Sequence, residues 1–367
     1  MTHNFTSAEL IAVLRNPNSA RQFSDASWSQ LINIARRTNL LGALAEQLKG
    51  AGISACPHAQ RHLEGARQLS ERQHRSVMWE VHQLQYALAD LQIPVLLLKG
   101  AAYVLSGYRV GKGRLFGDID ILVPRESLGD VESRLMLNGW VSAKSSDYDQ
   151  RYYRKWMHEL PPMTHLRRGT VLDVHHTILP LTARNAPDPQ QIINRSGQAE
   201  GFESIWIPSP EDLLIHSITH LVHEGELHNG LRDLNDIDCM LRDFSKVAGF
   251  WDRMVGYARG NDLSGPVCFG LHLARRFFGT PIPAEVLAQL SPRGITQQPT
   301  LWLEAVYVKA LEPIDDDRHS VLIELGKWFV YVRSHALRMP MSMLIRHLSI
   351  KGWVGLRASM LKSESAQ

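Results

Sequence analysis

Two short apolar runs, separated by a segment rich in glycine and basic residues, constrain this chain more than any other feature. The runs are Val95 to Leu98 and Ile119 to Val123, and both have the length and composition of buried strands. Gly100 follows the first run, and Gly117 precedes the second. The pattern predicts two neighbouring strands that hold the connecting segment close to one end of a sheet.

Two acids, Asp118 and Asp120, lie on the second run. Successive side chains of a strand point to opposite faces, so the two carboxylates share one face. Ionised carboxylates side by side repel each other and lose hydration, which a divalent cation between them offsets. Mg²⁺ or Mn²⁺ suits such hard oxygen ligands. The alternative is a solvated strand end, where Asp118 accepts turn hydrogen bonds and Asp120 pairs with Arg109 or Arg114.

The segment between the acids and the first strand carries groups that suit phosphate. Lys99 and Gly100 come directly after the strand, where an ammonium and backbone amides could meet phosphate oxygens. Further basic residues and glycines follow in the connecting segment: Gly107, Arg109, Gly111, Lys112, Gly113 and Arg114. The residues around Asp118 and Asp120 therefore indicate a nucleotide site.

A third acid lies in a predicted hairpin, whose arms are Met163 to Leu166 and Thr170 to Thr177. The sequence Arg167-Arg168-Gly169 between the arms is typical of a turn. On the second arm Asp173 interrupts an otherwise apolar strand, which costs several kcal/mol unless the acid is paired or bound to a metal. We expect Asp173 to supply a third metal-binding carboxylate, and a salt bridge to an arginine is the alternative.

These motifs together resemble the uncharacterised nucleotidyltransferase group of the DNA polymerase beta-like superfamily. The matching residues are Lys99-Gly100, Arg114 to Val123 and Leu172 to His175, and the resemblance covers residues 90 to 240. Where that superfamily usually has Gly-Ser, this chain has Gly100-Ala101.

The resemblance implies transfer of a nucleoside monophosphate from a nucleoside triphosphate to an acceptor hydroxyl, with release of pyrophosphate. The acceptor is a small molecule, a protein or an RNA. The implied catalytic and metal-binding residues are Asp118, Asp120 and Asp173, with Mg²⁺ or Mn²⁺ as cofactor. The implied nucleotide-binding residues are Lys99, Gly100, Arg109, Arg114 and Gly117.

The chain length of 367 residues predicts two or three packed units. We expect an α+β fold in which a small mixed-sheet palm is flanked by helical regions. The predicted units are an N-terminal helical region (residues 1–92), the palm (93–207) and a C-terminal helical region with a basic tail (208–367).

Two further groups of residues have more than one interpretation. Tyr152, Tyr153 and Trp156 could stack on a base, but we favour one face of a strand packed on the core. Four histidines at positions 216, 220, 223 and 228 lie on or just after a predicted helix. No glutamate follows His216 and no cysteine is near, so a core-facing or cleft-facing pair is favoured over a zinc site.

The last part of the chain is strongly basic. No Asp or Glu occurs from Leu325 to Ser363, and seven basic residues alternate with apolar ones there: Lys327, Arg333, Arg338, Arg346, Lys351, Arg357 and Lys362. Such a tail could contact an anionic membrane surface or RNA, or pack back on its own domain. A toxin-like RNA-modifying transferase and a non-catalytic nucleotide-binding adaptor at a membrane are therefore alternative functions.

Composition limits the remaining possibilities. The net charge of +3 is too small to argue for nucleic acid binding by itself. The three cysteines have no metal-type spacing, which favours a reducing cytoplasm. Because no apolar run approaches membrane-spanning length, we expect no transmembrane segment.

Overall fold

The computed structural model describes residues 7–142, 147–185, 187–291, 298–311 and 321–339. Four helices precede the sheet: α1 (Ser7–Arg15), α2 (Asp25–Arg37), α3 (Leu41–Gly50) and α4 (Pro57–Leu88). Ser24 caps α2 by accepting a hydrogen bond from the Ser27 amide, and Pro57 occupies the first turn of α4, where its missing N–H costs nothing. The long α4 lies against both the N-terminal helices and the sheet region.

A mixed sheet of seven strands follows: β1 (Val95–Leu97), β2 (Asp118–Leu122), β3 (Trp140–Ser142), β4 (Met163–His165), β5 (Val171–His175), β6 (Gly197–Gln198) and β7 (Ile205–Ile207). Their spatial order is β3-β4-β5-β2-β1-β7-β6. Strand β2 is antiparallel to β1 and parallel to β5, and β1 is parallel to β7. The α+β fold class with a small mixed sheet is therefore confirmed.

Four helices lie between the strands in sequence: α5 (Lys99–Leu105), α6 (Leu128–Leu137), α7 (Asp147–Trp156) and α8 (Pro189–Arg195). The rest of the described chain is helical: α9 (Pro210–His223), α10 (Gly230–Phe244), α11 (Phe250–Gly260), α12 (Ser264–Phe278), α13 (Ala284–Leu290), α14 (Gln298–Ala310) and α15 (Val321–Arg338). Helix α9 is buried along nearly its whole length and contacts α10, α11 and α12. It is the central element of the helical part.

The expected strand at Tyr152, Tyr153 and Trp156 is wrong, because these residues lie in α7. Helical spacing brings Tyr152 and Trp156 onto neighbouring turns, where their ring centroids are 5.8 Å apart. Alternation along a strand would have placed the two rings farther apart. The aromatic contacts within the segment are thus a product of the helical period.

Close backbone packing joins the N-terminal helices to the segment before β2. A Cβ atom on Gly42 of α3 would collide with the carbonyl oxygen of Gly113, and one on Gly113 would collide with the Gly42 carbonyl. Gly113 also has a φ of +73°, which side chains other than glycine rarely adopt. Glycine at both positions permits this contact between α3 and the chain that leads to the acids.

Helix α15 carries the first part of the basic segment and packs against the helical region. Arg333 Nη1 donates to the Val222 carbonyl and to the Tyr307 hydroxyl, both at 3.2 Å, and Arg338 forms an ion pair with Glu224. The predicted contacts of residues 340–367 with membrane or RNA lie outside the described residues. Across the described part of the chain, no helix combines the length and the apolar character needed to cross a membrane.

Candidate active site

The predicted acids meet on two parallel strands. In the register of β2 with β5, Asp120 lies directly opposite Asp173, and Asp118 lies opposite Val171. Residues opposed in this register share a face of the sheet, and alternation along β2 puts Asp118 on the same face. Asp120 is buried and Asp118 is exposed at the strand end. The three carboxylates therefore run from the buried middle of the sheet to its rim.

Asp120 has two partners that supply positive charge or a hydrogen bond. Lys99 Nζ and His175 Nε2 each lie 3.0 Å from its Oδ1 atom. Burial by itself would raise the pKa of Asp120, but the Lys99 ammonium and the His175 hydrogen bond hold it well below its usual range. Asp120 is therefore ionised. Its basic partner is Lys99, and not Arg109 or Arg114 as in the alternative of a solvated strand end.

The pKa values of Asp173 and Asp118 are raised, in contrast to that of Asp120. Burial, together with the nearby Asp120 and Glu159 carboxylates, raises the pKa of Asp173 to about 7. Asp173 Oδ1 is buried and has no hydrogen-bond partner among the described residues. Although the Asp118 side chain is exposed at the strand end, partial loss of solvent around it and the charge of Asp120 also raise the pKa of Asp118. The site thus holds more negative charge than its own cations neutralise.

A divalent cation fits this set of donors. Hard carboxylate oxygens on one face suit Mg²⁺ or Mn²⁺. The buried Asp173 Oδ1 has no hydrogen-bond partner among the described residues, and a bound cation would offset the free-energy cost of burying it. Asp118, Asp120 and Asp173 are the residues that would hold it.

Lys99 and Gly100 stand at the start of α5, directly after β1. Lys99 adopts a left-handed φ of +44°, which is uncommon for a residue with a side chain. This backbone turn accompanies the placement of its ammonium on Asp120. Gly100 is buried, and a Cβ there would collide with the Arg114 guanidinium and the Phe116 ring. A side chain at this position would therefore displace Arg114 or Phe116.

Arg114 is a buried cation whose contacts are with the protein. Its Nε atom donates to Asp236 at 2.6 Å, and its guanidinium lies over the rings of Tyr103 and Phe116 at 5.5 and 5.4 Å. Burial disfavours its charge, but Asp236 and Asp233 outweigh burial and raise the pKa of Arg114. Arg114 therefore links the segment before β2 to α10.

A cavity of about 390 Å³ opens beside the acids. Six of the predicted site residues line it, and Asp173 does not: Lys99, Gly100, Arg114, Gly117, Asp118 and Asp120. Arg109 is not among its lining residues, because its guanidinium is half-exposed and pairs with Asp243 at 3.2 Å. The structure therefore brings together every predicted nucleotide-binding residue except Arg109.

A second cavity, of about 760 Å³, meets the first at Gly117 and Asp118. Its wall includes Arg72, Arg75 and the half-exposed ring of Trp79 from α4. Asp118 therefore lines both cavities.

The histidines of α9 take the core-facing and cleft-facing positions that were favoured. His216 is buried, and burial together with Lys99 lowers its pKa to about 3. His220 lines the smaller cavity, and its Nε2 lies 3.5 Å from Glu224. Burial and the Lys99 ammonium also hold the pKa of His220 well below its usual range, so both imidazoles are neutral.

A cluster that the sequence reasoning missed is joined to Asp120 through His175. His158, Glu159 and His175 place one potential metal-binding atom each within 4.8 Å of one another. The adjacent His158-Glu159 pair was the available signal in the sequence, but nothing local connects it with His175, 16 residues later.

A palm-like mixed sheet with carboxylates on adjacent strands and a cavity at their rim defines the nucleotidyltransferase class. The chain belongs to the family described as "Uncharacterised nucleotidyltransferase", whose model matches residues 24–279. The predicted family, and with it the assignment as a transferase enzyme, is confirmed.

Three solved structures show remote likeness over about half of this chain. The solution structure of the antibiotic-resistance factor ANT(2'')-Ia has 15% identity and a TM-score of 0.34, covering 51% of this chain and 93% of that one. The crystal structure of ANT(2'')-Ia with adenylyl-2''-tobramycin has 14% identity and a TM-score of 0.34, covering 51% and 97%. An antigenic nucleotidyltransferase-like protein from Paracoccidioides brasiliensis has 17% identity and a TM-score of 0.29, covering 52% and 91%. No curated protein matches the sequence significantly.

Proposed function

We propose that this enzyme transfers a nucleoside monophosphate from a nucleoside triphosphate to an acceptor hydroxyl, with a divalent metal and with release of pyrophosphate. The observation that carries the proposal is the register of β2 with β5, which sets Asp120 opposite Asp173 and places Asp118 at the same cavity rim. Carboxylates so arranged are the ligands that Mg²⁺ or Mn²⁺ uses in phosphoryl-transfer sites.

Each acid has a distinct part in the proposed reaction. Asp118 and Asp120 would hold the cation, which when bound would supply positive charge to the phosphate oxygens of the triphosphate. Asp173 accepts the proton of the acceptor hydroxyl, a role that suits a carboxylate whose pKa is about 7. The hydroxyl oxygen bonds to the α-phosphorus, and the bond to the β-phosphate oxygen breaks with its electron pair. Pyrophosphate leaves carrying that pair.

The two cavities provide separate places for the two substrates. We assign the nucleotide to the smaller cavity, because Lys99 and the Gly100 backbone lie there beside Asp118. The acceptor then approaches from the larger cavity, whose exposed Arg72 and Arg75 favour an acceptor with anionic groups. Asp118 stands at the junction, where the nucleotidyl group passes from one substrate to the other.

The test is pyrophosphate release from each of the four ribonucleoside triphosphates with Mg²⁺ or Mn²⁺, with cell extract as the source of acceptor. Asp118→Asn is the most informative variant, because Asp118 is exposed and forms no ion pair with any described residue. We expect Asp118→Asn and Asp120→Asn to abolish release, and EDTA to abolish it in the wild type. Asp130→Asn, an exposed acid on α6, is the matched control and should retain full activity.

Undiminished turnover in Asp118→Asn and Asp120→Asn would refute the proposed roles of these acids. Nucleotide binding without pyrophosphate release would favour the non-catalytic adaptor. That alternative is considered because Ala101 replaces the serine that usually follows the glycine. Strongly salt-dependent RNA binding would favour the RNA-modifying alternative, since release of counterions accompanies contacts with phosphates.

A further inference from the structure

The chain around Glu159 runs antiparallel to the end of β5. Glu159 forms an isolated bridge with His175, and backbone hydrogen bonds flank it: the Leu160 amide donates to the Val174 carbonyl at 2.8 Å, and the His176 amide donates to the His158 carbonyl at 2.9 Å. These backbone contacts fix His158, Glu159 and His175 next to one another. The cluster thus rests on a paired segment of sheet.

The distance from Glu159 to His175 equals that between two ligands of one metal ion, and the distance from Glu159 to His158 is slightly longer. Glu159 Oε2 lies 3.4 Å from His175 Nδ1 and 3.8 Å from His158 Nε2. Two ligands at about 2.0–2.1 Å from a tetrahedral zinc ion are about 3.4 Å apart. All three residues offer their atoms within 4.8 Å of one another. A single ion can therefore contact all three after small side-chain movements.

Two imidazole nitrogens of the cluster residues are buried without a hydrogen-bond partner in the described part of the chain. The His175 side chain is 3% exposed, and its Nδ1 has no hydrogen-bond partner in the described part of the chain. Nδ1 of His158 is likewise buried and unpartnered within that part. An imidazole nitrogen left without a partner in the interior is costly, and a metal ion is one of the few groups that would satisfy it without a further side chain.

We propose that His158, Glu159 and His175 form a binding site for a transition-metal ion of the zinc type, separate from the carboxylates that suit magnesium. Two imidazoles and one carboxylate are a ligand set that zinc takes in proteins, and they leave a fourth position for water. Imidazole nitrogen also selects zinc over magnesium, which prefers oxygen ligands throughout.

The site is connected to Asp120 through His175. The His175 Nε2 atom donates to Asp120 Oδ1 at 3.0 Å, because an ionised carboxylate can only accept. A metal ion on Nδ1 keeps the proton of His175 on Nε2 and so preserves this hydrogen bond. His175 then orients Asp120 in the same way that carboxylates and metal-bound histidines orient one another elsewhere. His175 is a positioning residue in this arrangement, and the inference does not depend on the reaction proposed for Asp118, Asp120 and Asp173.

The test is direct binding of metal to the full-length protein. Chelator-treated protein is titrated with Zn²⁺ by calorimetry and with Co²⁺ by its visible absorption, which reports nitrogen and oxygen ligands in a tetrahedral site. We expect one ion per chain. Glu159→Gln keeps the side-chain size and should weaken Zn²⁺ binding at least about 100-fold, since even residues that only support metal ligands contribute about 10–100-fold. His158→Gln should have the same effect and serves if Glu159→Gln does not fold.

Two control variants keep the result specific. The exposed His58 and the partly exposed His62 lie one turn apart on α4, which is the kind of surface site that binds zinc adventitiously. His58→Ala should leave the measured ion in place. Asp118→Asn should lose pyrophosphate release while retaining Zn²⁺, which separates this site from the proposed reaction. Absence of Zn²⁺ binding, or binding lost in His58→Ala and kept in Glu159→Gln and His158→Gln, would overturn the proposal.

Discussion

Replacing Arg114 with methionine tests whether this residue holds the fold together or binds substrate phosphate. Methionine keeps the contacts of the aliphatic stem with Tyr103 and Phe116 but removes the positive charge. The Asp236 carboxylate, 4% exposed, then stays buried without the guanidinium that donates to it at 2.6 Å. Removal of one partner from a buried ion pair costs about 3–5 kcal/mol.

We therefore expect Arg114→Met to lower the free energy of unfolding by about 3–5 kcal/mol. The assay is equilibrium unfolding in urea, with the free energy extrapolated to water. Arg109→Met is the matched control, because the Arg109–Asp243 pair is half-exposed and such pairs contribute at most about 1 kcal/mol. Both arginines lie in the same segment before β2, so the comparison isolates burial.

A second substitution identifies the cause of the loss. Asp236→Asn in the Arg114→Met background removes the unpaired charge, so we expect the double variant to be more stable than Arg114→Met alone. The reasoning is refuted if Arg114→Met and Arg109→Met are equally stable, or if Asp236→Asn adds a further loss. A raised KM for nucleotide at unchanged stability would instead assign Arg114 to phosphate binding.

Three further predictions follow from single contacts. Lys99→Met should lower the free energy of unfolding by about 1–3 kcal/mol, because the buried Asp120 carboxylate then keeps only its hydrogen bond with His175. Mg²⁺ should raise the melting temperature of this variant more than that of the wild type. Asp173 has a folded pKa of about 7, above the unfolded value of about 3.9, so its contribution to stability is complete below pH 4 and is lost as the pH rises through 7. Without divalent ions, Asp173→Asn should therefore melt above the wild type at pH 8, and the difference should shrink toward pH 4; a constant difference would contradict the assignment. Gly42→Ala should destabilise by about 1–3 kcal/mol because its Cβ would meet the Gly113 carbonyl, whereas Gly50→Ala, with open space around it, should be neutral or stabilising in a denaturant titration.

The sequence by itself determined the parts of the site that depend on local pattern. The alternation of β2 places Asp118 and Asp120 on one face whatever the strand pairs with, because the side-chain period of a strand is fixed. Asp173 stands out for the same reason, as an acid in an apolar run. The resemblance of these motifs to a known family then led to the transferase class.

Local pattern was insufficient where two conformations fit the same residues. The aromatic residues of α7 fit one face of a strand, but Tyr152 and Trp156 are four residues apart and also fit the helical period that the structure adopts. Helix and strand propensities are weak there, so the surrounding structure decides.

The tertiary structure alone decided which charges meet. Arg114 and Asp236 are 122 residues apart, and Glu80 and Arg168 are 88 apart, yet each forms a close ion pair. The sequence offered Arg109 and Arg114 equally as phosphate ligands, but packing buried Arg114 against α10 and left Arg109 half-exposed. Likewise, His158 and Glu159 reach His175 only because their segment pairs with β5. The physical reason is that a charge or ligand atom takes its partner from what the folded core brings within a few ångströms, and sequence spacing carries no record of that distance.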